Sequence, residues 1–270
     1  MRIVRNRLRS GAAALLALAV PAVALRAQSP FYLDHGSATA AWAQVQHPSF
    51  KNGSGFSAWL LDAGARIRLS PGAYILADVP LVTTSVSGAS SGEEGTLLGN
   101  PFLGIGFLSG GVRAELGMRP SIVTDNAPVA SVLAGAVANI ERMEAYAQAW
   151  SFSADVSYAL ADASGLRFEV GGGPMLALPK GGGTKPVYVN YRAGFGLEVS
   201  RVRFMSYLSG RWYVNDSGAN FGQATVHQLT LAGTYVGRRV RPTVFVRVPL
   251  DQDLSDVLST VLGLGVTLGL

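Results

Sequence analysis

From Val187 to Val214 the chain reads VYVNYRAGFGLEVSRVRFMSYLSGRWYV. Val187, Val189, Tyr191, Ala193, Phe195, Leu197 and Val199 alternate with Tyr188, Asn190, Arg192, Gly194, Gly196 and Glu198. After Ser200–Arg201, Val202, Phe204, Leu208, Trp212 and Val214 oppose Arg203, Met205, Tyr207, Arg211 and Tyr213. A period of two puts each set on its own face of a strand, so the stretch predicts a hairpin with one apolar and one polar face.

The same alternation fills 55–69, 72–84, 97–108, 111–124, 148–160, 165–178, 224–237, 240–250 and 258–270, with a weaker candidate at 36–46, which makes twelve strands. Breaks after even-numbered strands are short (70–72, 109–111, 162–165, Ser200–Arg201, 237–239); the others (47–54, 85–96, 125–147, 179–185, 215–223, 251–257) are longer and polar or glycine-rich. Outer-membrane barrels alternate in this way, with turns in the periplasm and loops outside. Each segment reaches the roughly 9–11 residues that a tilted strand needs to cross a bilayer, and lipid cannot satisfy an open strand edge, so closure is required. The fold class is therefore all-β: a transmembrane antiparallel β-barrel of about twelve strands.

Aromatic residues on the apolar faces fall into two belts, as rings that prefer membrane–water interfaces should. Trp59, Trp150 and Trp212 lie toward the long loops; Phe107, Tyr158, Phe168, Phe204 and Tyr235 lie toward the short turns. Pro101, Pro174 and Pro242 interrupt strands and predict bulges or local irregularity. Within 128–147, Val129, Leu133, Ala136, Val137 and Ile140 follow helical spacing, which predicts a short helix in the third long loop. Read instead as a hairpin, that segment raises the count to fourteen.

Composition supports a membrane protein: 49% of residues are hydrophobic and mean hydropathy is +0.28. MRIVRNRLR, followed by GAAALLALAVPAVAL and small residues through Ala27, predicts a cleaved signal peptide at 1–27 and a barrel domain at 28–270. Removing 1–27 takes away five arginines and leaves 17 bases against 17 acids, so the global charge offers nothing to nucleic acid. The absence of cysteine excludes a lipoprotein anchor, disulfides and thiolate chemistry.

The faces opposite the apolar ones collect Arg66, Arg68, Arg113, Arg119, Arg167, Arg192, Arg203, Arg211, Arg241 and Arg247 with Asp62, Asp78, Glu115, Asp155, Glu169 and Glu198. These charges either pair across neighbouring strands and fill a narrow barrel, or line a pore that favours anions. The long loops carry further acids, among them Glu93, Glu94, Glu141, Glu144, Asp216 and Asp251, which either set up a field along the pore against the arginines at the short-turn end or form a solvated rim.

Enzyme signals are sparse. His35 and Ser37 share DHGS near the mature N-terminus, without an evident third member; His47 precedes a proline and His227 sits on the lipid face or at a turn end. GGGP and GGGT lack the lysine–hydroxyl pair of a phosphate loop, and LDQDLSD lacks the glycine and glutamate of an EF-hand. No catalytic residue, cofactor or metal is expected.

ADVPLVTTSVSG followed by GTLLGNPFLGIGF, with Val248-Pro249-Leu250 echoing Val79-Pro80-Leu81, resembles the outer-membrane transporter-like barrels named for the meta-pathway of phenol degradation. The resemblance implies passive uptake of small aromatic or hydrophobic compounds and no catalytic residues. Such barrels end in an aromatic residue, whereas this chain ends in Leu270.

The expected function is an outer-membrane channel for small solutes, anionic or aromatic, as a monomer exported by its signal peptide and inserted by the barrel-assembly machinery among outer-membrane lipids. The alternatives are a non-conducting structural or adhesion barrel with functional loops, and a lipid hydrolase.

Overall fold

A computed structural model of the chain describes residues 39–51, 55–87, 94–215 and 221–270. The expected signal peptide, His35, Ser37, Glu93 and Asp216 lie outside the described residues.

The strands are β1 (Ala40–Phe50), β2 (Phe56–Ser70), β3 (Ala73–Val86), β4 (Gly95–Leu98), β5 (Phe102–Ser109), β6 (Val112–Arg119), β7 (Ala149–Ala161), β8 (Leu166–Pro179), β9 (Val187–Val199), β10 (Val202–Tyr213), β11 (Thr225–Tyr235), β12 (Val240–Pro249) and β13 (Leu258–Gly269). Each pairs antiparallel with its neighbours, and β1 closes the ring against β13 from Ala40↔Gly269 onward. β4 and β5 are two halves of one wall strand against β3, so the barrel has twelve staves. Closure leaves no strand edge to lipid, as a membrane-spanning sheet requires.

The alternating pattern sorts as the periodicity demands. Outward side chains such as Ile67, Leu103, Phe152, Phe195, Leu231 and Leu264 are exposed, while Gln44, Asp62, Arg119, Ser151, Thr230 and Arg247 are buried inside. Short turns close one end: Ser200, a non-glycine at φ 57°, and Arg201 link the paired Val199 and Val202, and Gly110 and Gly111 at φ 53° and 86° link Ser109 to Val112. Two-residue hairpins favour positive φ because it matches the strand twist.

The prolines act in two ways. Between Asp78↔Phe102 and Leu81↔Leu98, β3 spends two residues where the opposing strand spends three, a bulge at Gly99-Asn100-Pro101. At Pro242 the ladder to β11 stops, and at Pro174 the pairing with β7 lapses, with no register shift at either. Both follow from the missing N–H.

Residues 111–124 do not form one long strand. β6 ends at Arg119, where Pro120 follows, and residues 120–124 leave the ladder. They lead into α1 (Val129–Ala138) and a 3-10 stretch at Ile140–Tyr146; a second short helix, α2 (Gln252–Val257), precedes β13. α1 forms where the spacing places it, and Val137 and Ile140 of the expected stripe turn inward, but the first turns of the helix bury small residues instead. Val129 and Leu133 are exposed, and Ser131, Ala134, Gly135 and Ala138 are buried. The helix enters a narrow space, where small residues permit close approach; a Cβ on Gly135 would stand 2.6 Å from the Tyr146 ring.

Candidate functional site

The bulge at Gly99-Asn100-Pro101 determines what happens inside the barrel. It turns Asn100 inward, where the side chain is fully buried. Its Oδ1 accepts the backbone N–H groups of Ile122 (2.8 Å) and Val123 (3.1 Å), and its Nδ2 donates to the carbonyls of Glu144 (2.9 Å) and Ala147 (2.6 Å). The Asn100 N–H donates to Ala145 O at 2.6 Å, and Asn100 O accepts from Arg119 at 2.8 Å. One side chain thus ties both ends of residues 120–148 to the wall. Gly99 permits the approach, since a Cβ there would lie 2.6 Å from Ala145 O.

Residues 120–148 consequently fold into the lumen. On one side the contact is mainly apolar: Ala134, Ala138, Ala145 and Tyr146 pack with Ala58, Leu60, Val82, Leu97, Leu258 and Val261 of β2, β3, β4 and β13, with Ser131 bonded to Thr84 at 2.8 Å. On the other side it is polar. Ser209 donates to the Glu141 carboxylate at 2.7 Å and Gln228 donates to the same oxygen; Asn190 donates to Glu141 O at 3.3 Å. Arg211 donates to Glu144 Oε2 and to Ile140 O, both at 2.9 Å, and stacks on the Tyr188 ring at 4.0 Å. Around the circumference, Arg142 pairs with Asp62, and Arg247 donates to Ala138 O. Burial raises the Tyr146 hydroxyl far above its ordinary range, with nearby Arg142 acting against that.

Between the inward segment and β7–β10 a cavity of about 490 Å³ remains, lined by Val132, Ala136, Met143, Tyr146, Ala177 and Tyr188 with Glu144 and Arg211. An apolar pocket of this size with a few convergent polar groups is the usual form of a small-molecule site. Toward the short turns, the same wall sector holds a charged crevice. Arg192 bonds both Asp155 oxygens at 3.0 and 3.1 Å and lies 3.5 Å from Glu169; Arg203 and Arg167 share Glu198, each at 2.7 Å. Arg167 is 32% exposed and Arg203 18%, so solvent reaches this part of the lumen. Gly171 leaves room for Arg192, because a Cβ there would come within 2.9 Å of the guanidinium.

The residues expected to line the lumen fall into two groups. Arg66, Asp78, Glu115, Arg119, Arg211 and Arg247 are buried in a packed interior. There Arg119 grips Asp78 bidentately at 2.9 and 3.1 Å, Tyr74 donates to Glu115, and Arg66 lies 5.1 Å over the Tyr74 ring. Asp155, Arg167, Glu169, Arg192, Glu198 and Arg203 form the crevice, and Arg113 is half-buried on the face it shares with Glu115 and Arg119. The eight aromatics Trp59, Trp150, Trp212, Phe107, Tyr158, Phe168, Phe204 and Tyr235 all project from the outer face; Trp212 is partly covered by Phe221 at 5.6 Å.

Sequence reasoning placed Glu141 and Glu144 in a solvated rim; they are instead inside, bonded to the wall. It passed over Asn100, Arg142, Tyr146 and Tyr188. The Gly-Asn-Pro break was the available signal for Asn100. His227 lies on the outer face, joined through Nδ1 to Asp251 at 3.0 Å and through Nε2 to the Tyr191 hydroxyl at 2.6 Å.

With this geometry in place, the barrel can be set beside known structures. The NanC porin superposes with a TM-score of 0.52 at 10% identity, over 84% of this chain and 100% of that one. The fold is that of the outer-membrane β-barrels. The translocator domain of the autotransporter NalP from Neisseria meningitidis (TM-score 0.49, 12% identity, 97% and 98% covered) is also similar. So is LpxR from Salmonella typhimurium (0.49, 10%, 86% and 100%). At these identities the likeness concerns the fold alone. No protein-family model and no curated protein matches the sequence.

Proposed function

We propose that the chain is an outer-membrane barrel admitting small, mainly apolar organic molecules that carry an anionic group, through a lumen closed at rest by residues 120–148. The observation that carries this reading is the cavity of about 490 Å³ between that segment and β7–β10. Its walls are apolar, and Arg211 and Tyr188 stand where a carboxylate or sulfonate would dock. The charged crevice follows it in the same sector, so displacing the Glu141 and Glu144 contacts joins the two into one path. The resemblance to the meta-pathway phenol-degradation barrels supports aromatic cargo. The test is passage of benzenesulfonate, an anion that lipid excludes, into proteoliposomes. Entry faster than into protein-free vesicles, slowed by the bulky Ala177→Trp in the pocket wall, supports the reading; entry at the protein-free rate overturns it.

A second reading, a hydrolase of membrane lipids, has one observation in its favour. Asp251, His227 and Tyr191 align carboxylate, imidazole and hydroxyl on the outer face, an order shared by nucleophilic triads. Release of fatty acid from phospholipid micelles, abolished by His227→Ala, would support it; equal release by both proteins would remove it.

A further inference from the structure

The outer face of β9–β13 carries a groove of about 570 Å³ whose walls include Phe195, Phe204, Leu231, Val244 and Leu262. Its floor is Gly233: a Cβ there would meet Phe204 at 3.6 Å and Val244 at 3.7 Å, ordinary contact distances, so the depression exists because this position lacks a side chain. Two residues below Gly233, roughly 7 Å along the strand, Tyr235 pairs with Val202 at the strand ends. The two turns beneath hold Arg201, Arg238 and Arg239, all exposed, with no acid in either turn. Arg201 donates to the Tyr235 hydroxyl at 3.4 Å. The nearest acid in sequence, Glu198, faces the lumen and is engaged by Arg167 and Arg203.

An apolar groove standing over three guanidinium groups at a membrane boundary has the chemistry of a lipid with a negative headgroup. We propose that this face binds one anionic phospholipid, its phosphate on Arg201, Arg238 and Arg239 and one acyl chain in the groove over Gly233. Guanidinium groups match phosphate oxygens in bidentate geometry, and the groove gives the chain dispersion contacts on several sides that a flat barrel wall does not. The inference rests on the reading that the barrel spans a membrane with its short turns in the periplasm, which makes the site one for the inner leaflet.

The test is native mass spectrometry of the folded protein released from detergent containing equimolar phosphatidylglycerol and phosphatidylethanolamine. The expected result is one retained phosphatidylglycerol, with retention reduced at least tenfold in Arg238→Gln/Arg239→Gln. Gly233→Phe, which fills the groove from outside, should reduce it similarly. A heat-modifiable gel shift verifies that each variant is folded. Equal retention of the two lipids by the unaltered protein, or undiminished phosphatidylglycerol on folded Gly233→Phe, overturns the proposal. Insertion into vesicles of phosphatidylethanolamine alone separates the two failures. A protein that inserts but shows no lipid preference sinks only this site; one that does not insert sinks the membrane reading as well.

Discussion

The inward segment meets the barrel through two unlike surfaces. Toward β2, β3, β4 and β13 it presents alanines and Tyr146 to buried aliphatic side chains, joined by the Arg142–Asp62 ion pair and the Ser131–Thr84 hydroxyl contact, and toward β9, β10 and β11 it presents Glu141 and Glu144 to Asn190, Ser209, Arg211 and Gln228. An apolar seam inside a narrow lumen has no competitor for its contacts. Hydrogen bonds and ion pairs that border the cavity do, because water or an anionic solute can take over the same donors. On the proposed function, the apolar seam is the fixed edge, and the polar side, next to the cavity and the crevice, is where the lumen would open.

Asn100→Ala should have the largest effect, since it frees both ends of the segment at once. Each buried group left without its partner costs about 1–3 kcal/mol, so both sides should release, and planar-bilayer recordings should change from a nearly silent barrel to frequent, long openings. Glu144→Gln should act on the yielding side alone. It weakens the pair with Arg211 and should raise benzenesulfonate entry on the order of tenfold, about 1.4 kcal/mol, with the apolar seam intact.

Leu60→Ala should do the reverse. A buried large-to-small change costs about 2–5 kcal/mol, so the temperature of the heat-modifiable gel shift should fall while entry changes less than about twofold. A large rise in entry for Leu60→Ala would show that the two sides are equivalent. The smallest effect belongs to a turn far from either side. The Ser164 hydroxyl and the Leu166 N–H hold Asp162 below its ordinary pKa. A depressed folded value means that the contribution is present above about pH 4 and is lost as pH falls through the lower, folded value. Asp162→Asn should therefore remove a slight pH dependence of unfolding in that acid window and leave passage unchanged.

Much of the wall was legible because a period of two has one physical meaning in a closed sheet: alternate residues see lipid or lumen. That rule recovered the strand from Val187 to Val199 to the residue. It overran β6, where the alternation of Met118 and Arg119 continues into Ser121 and Ile122, but Pro120 ends the ladder. The interior was harder to read. Glu141, Glu144 and Arg142 look like any polar loop in sequence, and Asn100, placed by a one-residue bulge, ties both ends of that loop to the wall. The helix misled for a related reason. In a confined lumen small residues make the close contact, so Ser131, Ala134, Gly135 and Ala138 are buried and the larger Val129 and Leu133 are not.

The claim that residues 120–148 close the lumen by their polar side has a direct test, made clean by a chain without cysteine. In Glu141→Cys/Ser209→Cys, a short bis-methanethiosulfonate bridge ties the segment to β10 where Ser209 now donates to Glu141 at 2.7 Å. Benzenesulfonate entry is measured before bridging, after bridging and after reduction. Entry should stop on bridging and return on reduction, whereas a Thr84→Cys/Ser131→Cys disulfide on the opposite side, where the hydroxyls are 2.8 Å apart, should leave entry unchanged. Entry unaffected by the bridge to β10 would overturn closure by the polar side.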